Sequence, residues 1–213
     1  MVKHRNLSQA LWLCAALTTS VQAAPSALTS MDMWRAARPA GLTVSPDGQR
    51  AVFSLSQYDA KADASQTDLY LLDLQDGNKV RRLTGSAGTE HDVKFSADGK
   101  SLYFLADRSG SSQLWRLPLD GGEAVQMTDL PLDVGGYLVS SDDKKLVLTL
   151  DVKPGCADIA CTVEFNKKQA EKKDTAQVYD NLMARHWDTW EDGLRQHFFV
   201  ADHAGRSRFI LGL

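Results

Sequence analysis

The sequence predicts an all-β fold: a partial β-propeller of about three four-stranded blades, with a helical insertion in the third blade and a signal peptide in front. Three observations carry this. One phrase is written three times, as Ser45-Pro46-Asp47-Gly48-Gln49, Ser96-Ala97-Asp98-Gly99-Lys100 and Ser140-Ser141-Asp142-Asp143-Lys144. The copies are 51 and 44 residues apart, and a period of about 40–50 residues in strand-forming units is that of propeller blades. Each copy also lies between two alternating apolar runs, and Asp-Gly in that setting is a strong hairpin signal because Gly takes positive φ without strain. Unrelated hairpins in a β-sandwich would have no reason to keep the phrases in register.

The amino terminus reads as a signal peptide, residues 1–23. Lys3 and Arg5 form a positive start, Ala10 to Leu17 is apolar but too short to span a bilayer, and Val21-Gln22-Ala23 fits a cleavage signal. A buried N-terminal helix is the alternative. Cys14 does not make a lipoprotein signal, because Leu13 precedes it and it lies inside the apolar run. Export to the periplasm or beyond, with a cut after Ala23, is therefore expected.

An N-terminal segment, 24–42, leads into the propeller portion, 43–213. The first blade spans about 43–84, with strands at Arg50–Leu55, Asp68–Leu74 and Lys79–Thr84 and a turn at Gln75-Asp76-Gly77-Asn78. The second, about 91–128, is the most regular: Asp92–Phe95, Ser101–Leu105, Gln113–Leu117 and Ala124–Thr128 are separated by turns at Asp98-Gly99, Arg108-Ser109-Gly110 and Asp120-Gly121-Gly122. The third, about 134–213, opens with Tyr137–Ser140 and Lys145–Leu150. It resumes only at His197–Asp202 and ends with Arg206–Leu211. Between these pairs lies the insertion, about 152–195, which does not alternate. Asp174 and Gln177 make an N-terminal capping pair, and Val178 with Leu182 and Tyr179 with Met183 lie one turn apart. A helix is expected over about 175–184. Lys167, Lys168, Lys172 and Lys173 read as a solvated helix face.

After cleavage 22 basic and 27 acidic side chains remain, a net charge of −5. A mildly acidic chain with no basic stripe speaks against nucleic acid as a partner and against an anionic membrane surface. Cys156 and Cys161 are then the remaining thiols, with four residues between them in a loop. Exported chains tend to pair their thiols, so a disulfide is expected, worth about 2 kcal/mol for so short a loop. A free pair and a zinc site are the alternatives, and no further ligands are spaced for the metal. Nothing in the chain asks for a cofactor.

The insertion closes on a dense cluster, Arg185-His186-Trp187-Asp188-Thr189-Trp190-Glu191-Asp192-Gly193. Together with the signal peptide, the Ser-x-Asp-Gly blades and the following His-x-Phe-Val strand, this cluster resembles exported bacterial peptidases of the prolyl oligopeptidase family, in the dipeptidyl-peptidase 5 and acylaminoacyl-peptidase-like branch. The resemblance covers essentially the whole mature chain. It implies a seven- or eight-bladed propeller that screens substrates by size above an α/β-hydrolase domain carrying a Ser-Asp-His triad.

That triad has no counterpart here. A nucleophile elbow needs Gly-x-Ser-x-Gly, because only small neighbours fit its strained turn. The nearest string, Gly205-Arg206-Ser207-Arg208-Phe209, fails at its last position. No catalytic residue is assigned, and peptide substrates would be met through a hydrolase domain that these residues do not supply. The expectation is an N-terminal piece of a longer protein, or else a small protein that closes its ring as an oligomer.

The residues that could still do chemistry are Asp188, Glu191 and Asp192. An exopeptidase measures from its substrate's free amine, and a carboxylate suits that ammonium. The alternative is that Trp187 and Trp190 bury against the propeller while the acids pair with Arg185. His186, Asp188, Glu191 and His197 could be drawn as a metal site, but nothing in their spacing fixes a geometry, and no metal is assigned. The function expected is the gating, substrate-screening propeller of an exported serine exopeptidase. The other reading is a TolB-like periplasmic propeller that binds proteins.

Overall fold

This computed structural model describes residues 27–77, 79–173, 176, 179, 185–187, 189–202 and 210–211. The proposed signal peptide and most of the expected helix at 175–184 lie outside the described residues. Three four-stranded antiparallel sheets follow one another along the chain. The first runs β1 (Arg38–Val44), β2 (Arg50–Asp59), β3 (Ala64–Asp73) and β4 (Val80–Arg82) in spatial order. The second is β5 (Glu90–Phe95), β6 (Ser101–Ala106), β7 (Gln113–Pro118) and β8 (Val125–Gln126). The third is β9 (Gly136–Val139), β10 (Lys145–Val152), β13 (Arg195–Asp202) and β14 (Ile210–Leu211), the insertion falling between its second and third strands. These are the blades of a partial propeller. The first sheet takes in β1, upstream of residue 43, and a short helix, α1 (Ser30–Arg35), precedes it behind a Thr29–Asp32 capping box.

The repeated phrase is a hydrogen-bonded lock at the first hairpin of each sheet. Its Ser hydroxyl donates to the Asp carboxylate two residues on, at 2.5 Å for Ser45–Asp47 and 2.6 Å for both Ser96–Asp98 and Ser140–Asp142. The same Ser oxygen accepts the backbone N–H five residues on, from Arg50, Ser101 and Lys145, at 2.9 Å each time. The Asp accepts a second N–H, from Gln49, Lys100 or Lys144. These contacts hold each Asp carboxyl below its ordinary value, the Ser hydroxyl being the largest cause and the backbone N–H the next. Gly48 and Gly99 adopt φ near 70°, and Asp143 fills the same place in the third copy at φ 54°.

Four residues before the phrase serine stand Gly41 and Asp92, both at positive φ, and the β1–β2 and β5–β6 registers shift there. Such bulges re-aim the backbone. The Asp92 carbonyl is thereby presented to the third sheet, where it accepts the Tyr137 hydroxyl at 2.6 Å; the Tyr103 carbonyl lies 2.7 Å from the same oxygen.

Two apolar cores join the sheets. Val52, Leu69 and Leu71 of the first meet Val93, Leu102, Phe104, Ala106 and Leu117 of the second. Tyr103, Leu105 and Leu114, on the second sheet's other face, meet Tyr137, Leu146, Leu148, Leu150 and Phe199 of the third. Both joints carry a cation latch. Arg50 donates to the Gly99 carbonyl at 3.0 Å beside the Phe95 ring, and Lys94 donates to the Tyr137 carbonyl at 3.0 Å above the Tyr137 ring. A fully buried Gln113 ties the second sheet to the linker ahead of the third.

Candidate functional site

The insertion begins where β10 ends. Pro154 and Gly155 break the strand, and Asp158 caps α2 (Ile159–Ala170) by accepting the Cys161 N–H at 2.9 Å. Cys156 and Cys161 are joined by a disulfide with a Cα–Cα distance of 5.5 Å, which ties the cap to the turn before it. Buried Thr162 accepts the Lys153 N–H at 3.1 Å, holding α2 against the end of β10. Lys167 and Lys168 face solvent in its last turn. Sequence reasoning gave no bounds for a helix here because α2 carries little apolar periodicity; the signal that could have found it is Asp158 after Pro-Gly, a cap after a strand breaker.

Beyond α2 the cluster forms a small hairpin. β11 (Arg185–His186) pairs with β12 (Thr189–Trp190), with Arg185 opposite Trp190 and His186 opposite Thr189. Trp187 begins the turn at φ 55°, a left-handed conformation that bulky residues seldom adopt. The expected burial of the tryptophans does not occur: Trp187 is 86% exposed and Trp190 51%. Trp190 instead stacks with Tyr179 at 5.4 Å between centroids and lies under the Arg185 guanidinium at 5.2 Å. A guanidinium on an aromatic face is worth about 0.5–1 kcal/mol at an exposed site.

Of the acids, Asp188 lies outside the described residues. Glu191 accepts from Arg195 at 2.7 Å, so its partner is Arg195 and not Arg185. Asp192 accepts the Leu194 N–H at 2.8 Å and so shapes the turn back into β13. Both are exposed. Lys153, which the sequence did not single out, links this loop to α2: its amine lies 3.4 Å from the Gly193 carbonyl and 5.0 Å from the Phe165 ring centre. His197 is half-buried on β13 and lines a cleft of about 60 Å³ with Lys153, Cys156, Asp158 and Phe199. Among the described residues, no three His, Cys, Asp or Glu side chains converge as metal ligands. Among them too, no helix is long and apolar enough to cross a membrane.

The arrangement offers exposed carboxylates beside exposed aromatics on a hairpin rooted in the third sheet. Carboxylates and aromatic faces of this kind suit the binding of a cationic group.

Comparison with known proteins agrees with the architecture. Dipeptidyl-peptidase 5 of Porphyromonas endodontalis is 32% identical over 169 residues, covering 79% of this chain and 23% of that protein. The Tol-Pal system protein TolB of Bordetella pertussis is 38% identical over 58 residues, covering 27% of this chain and 13% of that one. The Pyrococcus horikoshii acylaminoacyl peptidase structure shares the fold at 14% identity with a TM-score of 0.60, over 84% of this chain and 25% of its own. The chain thus spans about a quarter of the length of the peptidases it matches, and it is their propeller portion that it resembles. The model of the TolB beta propeller domain (PD40) matches residues 35–177, and the chain belongs to that family.

Proposed function

We propose that this chain is the substrate-screening propeller of an exported serine exopeptidase of dipeptidyl or acylaminoacyl type, whose triad resides in an α/β-hydrolase domain outside these residues. The observation that carries the reading is the 32% identity to a dipeptidyl-peptidase 5 along 79% of the chain. Within it, Asp188, Glu191 and Asp192 receive the substrate's α-ammonium group. Arg195 already neutralises part of Glu191, which leaves Asp192 as the stronger candidate of the two described acids. Peptide substrates, processing after Ala23 and a periplasmic or secreted location belong to the same proposal.

Two measurements test it. The open reading frame that contains this propeller should continue into Gly-x-Ser-x-Gly. Its product should release dipeptides or acyl-amino acids from chromogenic substrates, with loss of turnover under a serine-directed inhibitor. In that product Asp192→Asn should raise KM for free-amine substrates and leave N-blocked ones unchanged. A reading frame without the elbow sinks the proposal. A second reading, a TolB-like propeller that binds protein partners without chemistry, draws on the 38% identity to a TolB over 58 residues; it gains if the elbow is missing.

A further inference from the structure

We propose that Lys153 is a positioning residue for the amine site: its ammonium group sets where the loop at 191–194 stands, and through Asp192 it governs affinity for a substrate's free amine. The inference rests on the amine-binding role proposed above for Asp192 and adds to it a residue that touches no substrate. The β10–β13 ladder ends at the pair Val152 and Arg195. Lys153 follows on one side of that last rung, and the loop precedes it on the other. Glu191 accepts from Arg195 at 2.7 Å, and Asp192 accepts the Leu194 N–H at 2.8 Å. Contacts so close in sequence fix the shape of a turn but not where it stands. The Gly193 carbonyl, in the same turn, lies 3.4 Å from the Lys153 amine, 40 residues away along the chain. That contact ties the loop to another element.

Lys153 is itself held at both ends. Its backbone N–H donates to the Thr162 hydroxyl oxygen at 3.1 Å, and its carbonyl accepts the Cys156 N–H at 3.1 Å. Its amine lies 5.0 Å from the Phe165 ring centre. Thr162 and Phe165 are three residues apart on α2 and so share one face, which makes the lysine a strut laid along the helix. The side chain is half-buried, and among the described residues no carboxylate forms an ion pair with it. Burying a charge is costly unless it is hydrogen-bonded, so the Gly193 carbonyl and the Phe165 ring are what stabilise this ammonium. The fit is close. A Cβ added at Gly193 would stand 3.3 Å from the amine and 4.0 Å from the Phe165 ring, and Gly193 has φ 79°. Lysine and glycine are thus matched to each other, and Asp192 is the next residue along. A charge-assisted bond from an ammonium to a carboxylate needs about 2.7–2.9 Å, so a loop that drifts by even about 1 Å loses much of that contact.

Two readouts test it. The first is amide hydrogen exchange of this chain with Lys153→Met. Exchange at Leu194 and Arg195 should accelerate while β6 and β7 keep their protection, which also shows that the variant folds. Unchanged exchange at Leu194 overturns the proposal. The second uses the product of the open reading frame that contains this propeller. There Lys153→Met should raise KM for free-amine substrates about tenfold and leave kcat unchanged. Lys153→Arg keeps the charge and can lie on the Phe165 ring, so it should recover most of the affinity, whereas Gly193→Ala should behave like Lys153→Met. Because Lys153 acts through Asp192, the double variant of Lys153→Met with Asp192→Asn should have a KM no higher than Asp192→Asn alone. Two rises that multiply overturn the proposal, as does a Lys153→Met enzyme with unchanged KM beside an Asp192→Asn enzyme with a raised one; in both cases the amine reading stands. If Asp192→Asn itself leaves KM unchanged, the amine reading falls, and exchange at Leu194 alone decides whether Lys153 places the loop.

Discussion

Replacing Gln113 with Met should be among the most damaging single changes in this chain, although nothing in the sequence marks that residue. Gln113 opens β7 and is fully buried. Its amide nitrogen donates to the carbonyls of Leu130 and Leu132 at 3.1 and 3.2 Å and lies 3.0 Å from the Ser111 hydroxyl. Its oxygen accepts the Leu130 N–H at 3.0 Å and the Thr128 hydroxyl at 2.8 Å. One side chain thus satisfies both backbone groups of a buried residue in the linker between the second and third sheets. Met keeps the length of Gln but neither donates nor accepts well, so the volume is held while the bonds go. Each buried group left without a partner costs roughly 1–3 kcal/mol. The Leu130 N–H and C=O are the two with no ready substitute, so the expected loss is about 2–6 kcal/mol. Most domains have about 5–15 kcal/mol in total, so a shift of that size is plain in a urea titration. Titrations of both proteins at one concentration, followed by the fluorescence of nearby Trp115, measure it. Amide exchange at Leu130 should accelerate in parallel. A loss below about 1 kcal/mol, or unchanged protection at Leu130, would refute the reasoning.

Asp143→Gly should stabilise the protein by about 1 kcal/mol, since Asp143 holds at φ 54° the place that Gly takes in the other two phrases, and a non-Gly residue there is strained; thermal melts read the sign. The carboxyls of Asp47, Asp98 and Asp142 titrate below their ordinary value in the folded chain, chiefly because of the Ser hydroxyls. Their contribution is therefore complete above the unfolded pKa of about 3.9 and is lost as pH falls through the lower folded values. Replacing all three with Asn should flatten the acid limb of a stability–pH curve, and an unchanged limb would assign acid unfolding to other groups. Reducing the Cys156–Cys161 disulfide should cost about 2 kcal/mol on the loop-entropy estimate, with hydrogen exchange rising first at the start of α2 and hardly at all in the second sheet; a uniform rise would mean that the bond serves the whole fold.

The second sheet was legible nearly strand by strand because its turns are written in Asp-Gly and Ser-Gly pairs and its strands alternate. The first strand of the first sheet was harder to see. Arg38-Pro39-Ala40-Gly41 carries a Pro and a Gly, which argue against a strand interior, and the structure reconciles them at an edge with a bulge at Gly41. The insertion was legible as an interruption but not in its parts. A helix held by a cap, a disulfide, a buried Thr and the packing of Ile159 alone on a core leaves little hydrophobic period to read. The tryptophans were misjudged for a related reason. Burial is the usual fate of Trp, and only the hairpin pairing and the left-handed turn at Trp187 show that the tip projects outward. Gln113 was invisible because three of its five partners are backbone atoms, which have no letter in a sequence.

The position of the acid-bearing loop follows from this division of labour. The propeller sheets hold one another by repeated means: a Ser–Asp lock inside each sheet, and an apolar joint with a cation latch between sheets. The insertion borrows two of them on a small scale: Ile159 packs on the second core, and Lys153 makes a cation latch of its own. It is fixed to β10 through Lys153, whose backbone N–H bonds to Thr162 and whose amine spans from the Phe165 ring to the Gly193 carbonyl. One residue therefore sets the distance between α2 and the loop that carries Glu191 and Asp192. For the amine-binding role proposed above, a loop set by one residue of β10 is a suitable place, since such sites sit on loops held by a rigid scaffold.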